Sequence, residues 1–193
     1  MTIFVEPLIH GDMNHRKLLN IELNRVGPEE YPELPESGVV VVLDNVRSAH
    51  NVGSAFRSSD SFKVDKIWLC GICAVPPSAE IRKSALGAEE SVPWEYSEST
   101  LDAIARLREE GYTIVSVEQT VGSTSLEHFV PDKGDRYALV FGNEVDGVGQ
   151  EVVDASDLTL EIPQFGTKHS LNVSVSIGVV LWYFTEKRLS DFQ

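Results

Sequence analysis

The sequence predicts an α/β protein with a mostly parallel sheet covered by helices on both faces. Five short runs are apolar nearly throughout and rich in β-branched residues, and they span 39–43, 66–70, 113–117, 137–141 and 158–162. Stretches with helical character lie between them, at 52–61, 79–86, 99–110 and 149–155. Continuous apolar strands that alternate with helices pair in parallel and are buried on both faces.

The last stretch, 170–188, is ambiguous by periodicity alone. Leu171, Val173 and Val175 alternate as in a strand, but the apolar run then continues unbroken to Phe184. It is far longer than a typical strand of about 5–6 residues. We therefore expect a buried helix that Ser170 caps and that ends on basic residues, which suit a helix C-terminus.

The N-terminal residues differ in composition from the rest of the chain. Residues 13–25 have helical spacing, and 27–36 then contain three prolines and four glutamates, which cannot continue a helix. We expect 1–36 to be a helical extension with an acidic, proline-rich linker. The remainder, 37–193, has a size typical of one domain.

Three segments place glycines and polar groups just past predicted strands, where open α/β sheets bind ligands. They are Asn51-Val-Gly-Ser-Ala-Phe-Arg57, Phe141-Gly-Asn-Glu-Val-Asp-Gly147 and Ile162-Pro-Gln-Phe-Gly-Thr-Lys-His-Ser-Leu-Asn-Val-Ser174. We call them the first, second and third motif. Each has a purely structural alternative when it is taken alone.

In the first motif, Asn51 is a candidate helix N-cap, and Arg57 is either functional or a surface arginine paired with Asp60. In the second motif, Gly142 would leave room for a flat adenine, and Glu144 is either part of a catalytic surface or an acid in a turn. In the third motif, the peptide groups of a buried loop need partners, which an adenine edge can supply.

In order and in residues, the three motifs resemble those of the SpoU (TrmH-like) branch of the SPOUT methyltransferases. The resemblance covers about residues 39–187. It implies transfer of a methyl group from S-adenosylmethionine to a ribose 2′-hydroxyl of structured RNA, without a metal. It also implies a C-terminal deep trefoil knot and a homodimer.

The resemblance also assigns residues. The implied catalytic set is Arg57, Asn51, Glu144, Ser170 and Asn172, and the implied cofactor-binding set is Val117, Gly142, Ile162 and Leu171. A guanidinium is a poor general base, because its pKa lies above about 12. We therefore expect Arg57 first to bind phosphate and to stabilise a developing alkoxide.

Charge bears on the substrate. The chain has 16 Lys and Arg against 30 Asp and Glu, a formal net charge of −14, whereas RNA binders usually have a basic surface. Any basic patch must be local, and the candidates are Arg16-Lys17, Arg47, Arg57, Lys63 with Lys66, Arg82-Lys83 and Lys168-His169. We expect transfer RNA rather than ribosomal RNA. The alternative is a non-catalytic RNA- or nucleotide-binding protein on the same scaffold.

Other functions have weaker signals. Cys70 and Cys73 form a single C-x-x-C that extends an apolar strand, and no second ligand pair completes a zinc site. We expect buried free thiols, with a redox or metal role as the alternative. No apolar run reaches the ~18 residues of a membrane span, and no signal-peptide pattern is present, so we expect a cytoplasmic protein.

Overall fold

The computed structural model describes residues 16–187. Strands β1 to β7 are Val39–Asp44, Lys66–Cys70, Trp94–Ser97, Thr113–Val117, Thr124–Ser125, Tyr137–Phe141 and Leu158–Glu161. Helices α1 to α6 are Ala49–Ser61, Ala79–Ala85, Ala88–Ser91, Thr100–Glu109, Gln150–Asp154 and Val173–Lys187. Short 3-10 turns lie at Asn20–Leu23, Tyr31–Glu33 and Leu126–His128.

The strands form a single sheet in the order β3-β2-β1-β6-β4-β7-β5, and every pairing in it is parallel. The register pairs Leu43 of β1 with Phe141 of β6 and Ser116 of β4 with Val140 of β6. The carboxyl ends of β1, β6 and β4 therefore meet at one edge of the sheet. The predicted α/β class with a mostly parallel sheet is confirmed, and the two peripheral strands β3 and β5 were not predicted.

Each face of the sheet has its own apolar layer. Along β1, Val41 and Leu43 face the layer that holds α1, α2 and α6, while Val40 and Val42 face the layer that holds α4 and α5. All four side chains are almost completely buried. Because both faces of β1 are covered, the strand is apolar from Val39 to Leu43 instead of alternating.

The C-terminal segment is a helix, as its length predicted. Helix α6 buries Val173, Ile177, Val180, Leu181 and Phe184 along one face. The predicted cap was wrong: Asn172 caps the helix, since its Oδ1 accepts a hydrogen bond from the Ser174 N–H at 2.9 Å. Within residues 16–187, no helix has the length and apolarity needed to cross a bilayer.

The predicted N-terminal helix is not formed over residues 16–25, where only the 3-10 turn Asn20–Leu23 occurs; residues 13–15 lie outside the described part. The apolar side chains that suggested a helix, among them Leu18 and Ile21, are exposed, so no core surface stabilises one. Tyr31 instead attaches the linker to the domain. Its hydroxyl donates to the Val64 carbonyl at 2.9 Å.

Both cysteines are buried and free, which confirms the predicted buried thiols. Burial raises the pKa of Cys70 to about 12 and that of Cys73 to about 11. The Cys73 thiol donates to the Leu43 carbonyl at 3.3 Å and accepts from the Val46 N–H at 3.2 Å. Protonated, buried thiols are unreactive, so these side chains serve packing.

Gly53 provides a test of the packing between α1 and α2. A Cβ at this position would overlap the Ser84 hydroxyl and the Ile81 carbonyl oxygen of α2. Gly53→Ala should therefore lower the free energy of unfolding by about 1–3 kcal/mol, measured by urea titration.

The matched control is Gly166→Ala, because a Cβ there meets nothing within 4 Å. It should change stability by less than about 0.5 kcal/mol. Equal effects of the two substitutions would show that the contact between α1 and α2 is not limiting.

Candidate active site

A cavity of about 310 Å³ opens at the carboxyl ends of β4, β6 and β7. This volume lies at the lower end of the ~300–1,000 Å³ range of small-molecule sites. Its lining includes all four residues expected to contact a cofactor: Val117, Gly142, Ile162 and Leu171. The cavity is thus built from the second motif, the third motif and the end of β4.

Glu144 of the second motif connects the loop after β6 to the loop after β1. Its carboxylate accepts hydrogen bonds from the backbone N–H groups of Arg47 and Ser48, each at 3.1 Å. It also accepts from Asn51 Nδ2 at 2.7 Å. Glu144 lies in an exposed turn, as the surface-acid alternative expected, and its carboxylate also holds two motifs together.

The third motif joins the same network. Asn172 Nδ2 donates to Asn51 Oδ1 at 3.3 Å, and Asn51 in turn donates to Glu144. The side-chain chain Asn172–Asn51–Glu144 therefore runs through all three motifs. We call these three residues the motif network.

The structure corrects the expected role of Asn51 as a cap. Ser48 caps α1, since its hydroxyl accepts from the Asn51 N–H at 3.3 Å, and Asn51 lies inside the first turn. The Asn51 side chain therefore does not cap α1. It is 7% exposed and is directed to Glu144 and Asn172.

Gly142 also has a different role from the one expected. A Cβ on Gly142 would overlap the backbone of Gly147 and Val148, not open space reserved for an adenine. Asn143 and Gly147 exchange two backbone hydrogen bonds, at 3.0 and 3.2 Å, which close the loop tightly over Gly142. A valine at 142 would therefore disrupt the loop itself, in addition to the cavity that the loop borders.

The remaining two predicted residues are exposed. Ser170 borders the cavity. Arg57 lies on α1, is not part of the cavity lining, and has no side-chain partner within residues 16–187. The alternative of an Arg57–Asp60 pair is therefore not formed, and a free guanidinium stands on the helix that carries Asn51.

One site residue was missed. Glu118 borders the cavity, and its carboxylate accepts from the Gln119 N–H at 2.8 Å and the Val148 N–H at 3.0 Å. Gln119 Nε2 donates in turn to the His169 carbonyl at 2.8 Å. Glu118 directly follows a predicted strand, which is the same signal that singled out the motifs.

The cavity lining is acidic. It contains the acidic residues Glu118, Glu144, Asp146 and Glu161, and no lysine or arginine of the described chain is part of it. Such a lining favours a ligand with positive charge. Across residues 16–187, no three His, Cys, Asp or Glu side chains group as a metal site would require.

Fold and site together define a parallel α/β protein that has a small-molecule cavity beside a polar network at the strand ends. The chain belongs to the SpoU rRNA Methylase family, whose model matches residues 38–182. It is 33% identical over 160 residues to the 23S rRNA (guanosine-2′-O-)-methyltransferase RlmB of Neisseria meningitidis serogroup B. That match covers 82% of this chain, and the chain spans 62% of that relative's length.

Solved structures agree with this membership. The AdoMet-bound rRNA methyltransferase of Sinorhizobium meliloti superposes with a TM-score of 0.73 at 26% identity, over 81% of this chain and 59% of that one. The TrmH/SpoU tRNA modifying enzyme of A. aeolicus superposes with a TM-score of 0.75 at 25% identity, over 85% and 82%.

The titration of Glu144 tests the motif network. Partial burial acts to raise its pKa, but the hydrogen bonds from Asn51 and from the loop N–H groups outweigh it, and the pKa is lowered. Carboxyl ¹³C NMR should give a midpoint below the ordinary value of about 4.3, and Asn51→Ala should raise that midpoint.

The lowered pKa of Glu144 also determines how the free energy of unfolding changes with pH. The contribution of Glu144 to the free energy of unfolding is present above the unfolded-chain pKa, about 4.3, and is lost as pH falls through the lower folded-state pKa. A midpoint in the folded protein at or above about 4.3, unchanged by Asn51→Ala, would contradict the network.

Proposed function

We propose that this protein transfers a methyl group from S-adenosylmethionine to a ribose 2′-hydroxyl of structured RNA. The observation that carries the proposal is the motif network beside an acidic cavity, with Arg57 unpaired on the helix of the first motif. Membership of the SpoU family supports it. The activity named for the RlmB relative also supports it, and that relative is longer than the part that this chain matches.

The cavity fits the cofactor chemically. S-adenosylmethionine carries a sulfonium, an ammonium and one carboxylate, so its net charge is positive, and the lining contains acidic residues and no lysine or arginine from the described chain. Val117, Gly142, Ile162 and Leu171 would contact it, in part through backbone groups at the strand ends. The bound cofactor would supply an electrophilic methyl group.

The motif network would position the RNA-facing groups. Glu144 is held by three N–H donors, and each of these bonds stabilises its ionised form. It is therefore suited to fixing the loop after β1 and Asn51, rather than to moving a proton. We assign Asn51, Glu144 and Asn172 to positioning, and Ser170 to the rim where ribose and cofactor would meet.

Arg57 would act on the RNA. Its guanidinium is exposed and unpaired within the described chain, so it is available to a phosphate oxygen. A planar fork binds phosphate through two N–H groups and can stabilise the alkoxide that develops at O2′. This role needs no proton transfer to arginine. As O2′ would bond to the methyl carbon and the sulfonium C–S bond would break, S-adenosylhomocysteine would leave and the 2′-hydroxyl proton would pass to solvent water.

The class of RNA differs among the relatives. The sequence alone favoured transfer RNA, whereas the RlmB relative of Neisseria meningitidis serogroup B is named as a ribosomal RNA methyltransferase. The A. aeolicus structure, which is matched over most of both chains, is described as a tRNA modifying enzyme. We therefore propose structured RNA as the substrate, and we consider ribosomal RNA a stronger candidate than the sequence alone suggested. Both RNAs should be assayed.

Two further features are proposed from the family. One is a trefoil knot. It is supported by the path of the chain from β7 to α6, because α6 packs beside α1 on the same face of β1 and β6. The other is a cytoplasmic location, where the proposed RNA substrates occur. Both stay predictions.

The proposed role of Arg57 predicts a division between binding and transfer. Arg57→Ala should leave S-adenosylmethionine affinity by calorimetry nearly unchanged while single-turnover methyl transfer falls about 10²-fold, the scale of losing one preorganised charge. Arg57→Lys should recover little, because the ammonium lacks the planar fork.

Three outcomes would count against this account. Failure of the folded wild-type chain to bind the cofactor would remove the proposed function. Binding of cofactor and RNA without transfer would support the non-catalytic alternative. Loss of cofactor affinity in Arg57→Ala would show that Arg57 binds the cofactor and not the RNA.

We also propose a homodimer through α6. Besides its buried face, this helix exposes a second apolar stripe of Val175, Val179 and Trp182, which are 50, 38 and 54% exposed. Light scattering should give twice the chain mass of 21.3 kDa, and Val179→Glu should return the protein to monomer.

The matched control is Val121→Glu, an identical change at a fully exposed loop position. It should leave the dimer intact. A wild-type protein that is monomeric at micromolar concentration would contradict the proposal.

A further inference from the structure

Among residues 16–187, most basic side chains are paired with a carboxylate. Many described lysines and arginines lie within ion-pair distance of a carboxylate: Arg16, Lys63, Lys66, Arg82, Lys83, Arg106, Arg108, Arg136 and Lys187. A paired cation has little field at a distance, because its partner cancels the charge. The net charge of −14 already counts these cations, so they supply no further attraction for an approaching polyanion.

Three motif-associated cations are different. Arg47, Arg57 and Lys168 are exposed, and none has a carboxylate partner within residues 16–187. Of the other unpaired cations, Lys17 and Arg25 lie in the N-terminal segment, and Arg25 acts electrostatically on Asp60. Within the described part of the domain, the free positive charge is therefore concentrated at the first motif, the loop just before it and the third motif.

The positions of Arg47 and Lys168 relate them to the proposed chemistry. The backbone N–H of Arg47 donates to Glu144, so its side chain extends from the loop that the motif network holds. Lys168 directly precedes His169, which borders the cavity and whose carbonyl accepts from Gln119. The Arg47 side chain thus starts from backbone that a hydrogen bond fixes at the site, and the Lys168 side chain starts next to such a residue.

We infer that Arg47 and Lys168 are RNA-phosphate contacts that flank Arg57 and orient the substrate. This inference rests on the proposed function and extends it to the binding surface. The excess carboxylates repel a phosphate backbone over the rest of the surface, whereas the three free cations attract it at the site. An acidic protein can in this way bind RNA in one orientation with few contacts.

The salt dependence of RNA binding distinguishes these contacts from general charge. With the full chain and a labelled, unmodified transfer RNA transcript, the affinity is measured by filter binding at several salt concentrations. Each of Arg47→Gln and Lys168→Gln should reduce the slope of log K against log salt by about 0.7–0.9, as expected for one phosphate contact. Affinity at physiological salt should fall about three- to tenfold for each.

The matched control is Arg106→Gln. It removes the same charge from an exposed arginine that is paired with Glu95 at 3.0 Å on α4, in the opposite layer of the sheet. This variant should keep the wild-type slope and affinity. A ribosomal RNA hairpin should give the same ranking, because phosphate contacts are independent of sequence.

Two results would overturn the inference: equal losses in Arg106→Gln and the motif variants, or unchanged slopes in Arg47→Gln and Lys168→Gln. Wild-type protein that binds no RNA would overturn it as well. Cofactor binding and methyl transfer are measured on the same samples. If the wild-type protein transfers the methyl group normally and the Arg47 and Lys168 variants bind RNA as the wild type does, this inference is wrong and the proposed function still holds.

Discussion

The site depends on one carboxylate. Glu144 stands just past β6, in the middle of the parallel sheet, and binds two N–H groups of the loop after β1 together with the Asn51 amide. The register that places β1 beside β6 brings these groups into reach. Without that carboxylate, the two N–H groups of the loop and the Asn51 amide would lose their acceptor, at a cost of about 1–3 kcal/mol for each group that stays buried.

The sheet was predictable because burial on both faces leaves a strong signal. The predicted limits of β2, β4 and β6 match the observed ones, since continuous apolar runs end where the chain leaves the core. β3 was missed because it is an edge strand with polar and half-buried side chains, and β5 because it has only two residues. The N-terminal helix was predicted from spacing, but spacing does not say whether a surface exists to pack against.

The candidate site was predictable in part. The rule that ligands bind at strand carboxyl ends is consistent with Val117, Gly142, Ile162 and Leu171 lying around one cavity. The caps were wrong for a physical reason: several Ser and Asn residues precede α1 and α6, and only the backbone path decides which of them meets a free N–H. The role of Gly142 depended on how the loop folds back on itself, and this is a tertiary property.

The proposed chemistry is tested most directly by locating the transferred methyl group. The full chain would be incubated with methyl-labelled S-adenosylmethionine and unmodified transfer and ribosomal RNA, and the RNA would be digested to nucleosides and separated by liquid chromatography and mass spectrometry. We predict label in 2′-O-methylated nucleosides, and its loss with Arg57→Ala. Label on a base, or no label in either RNA from protein that binds the cofactor, would contradict the account.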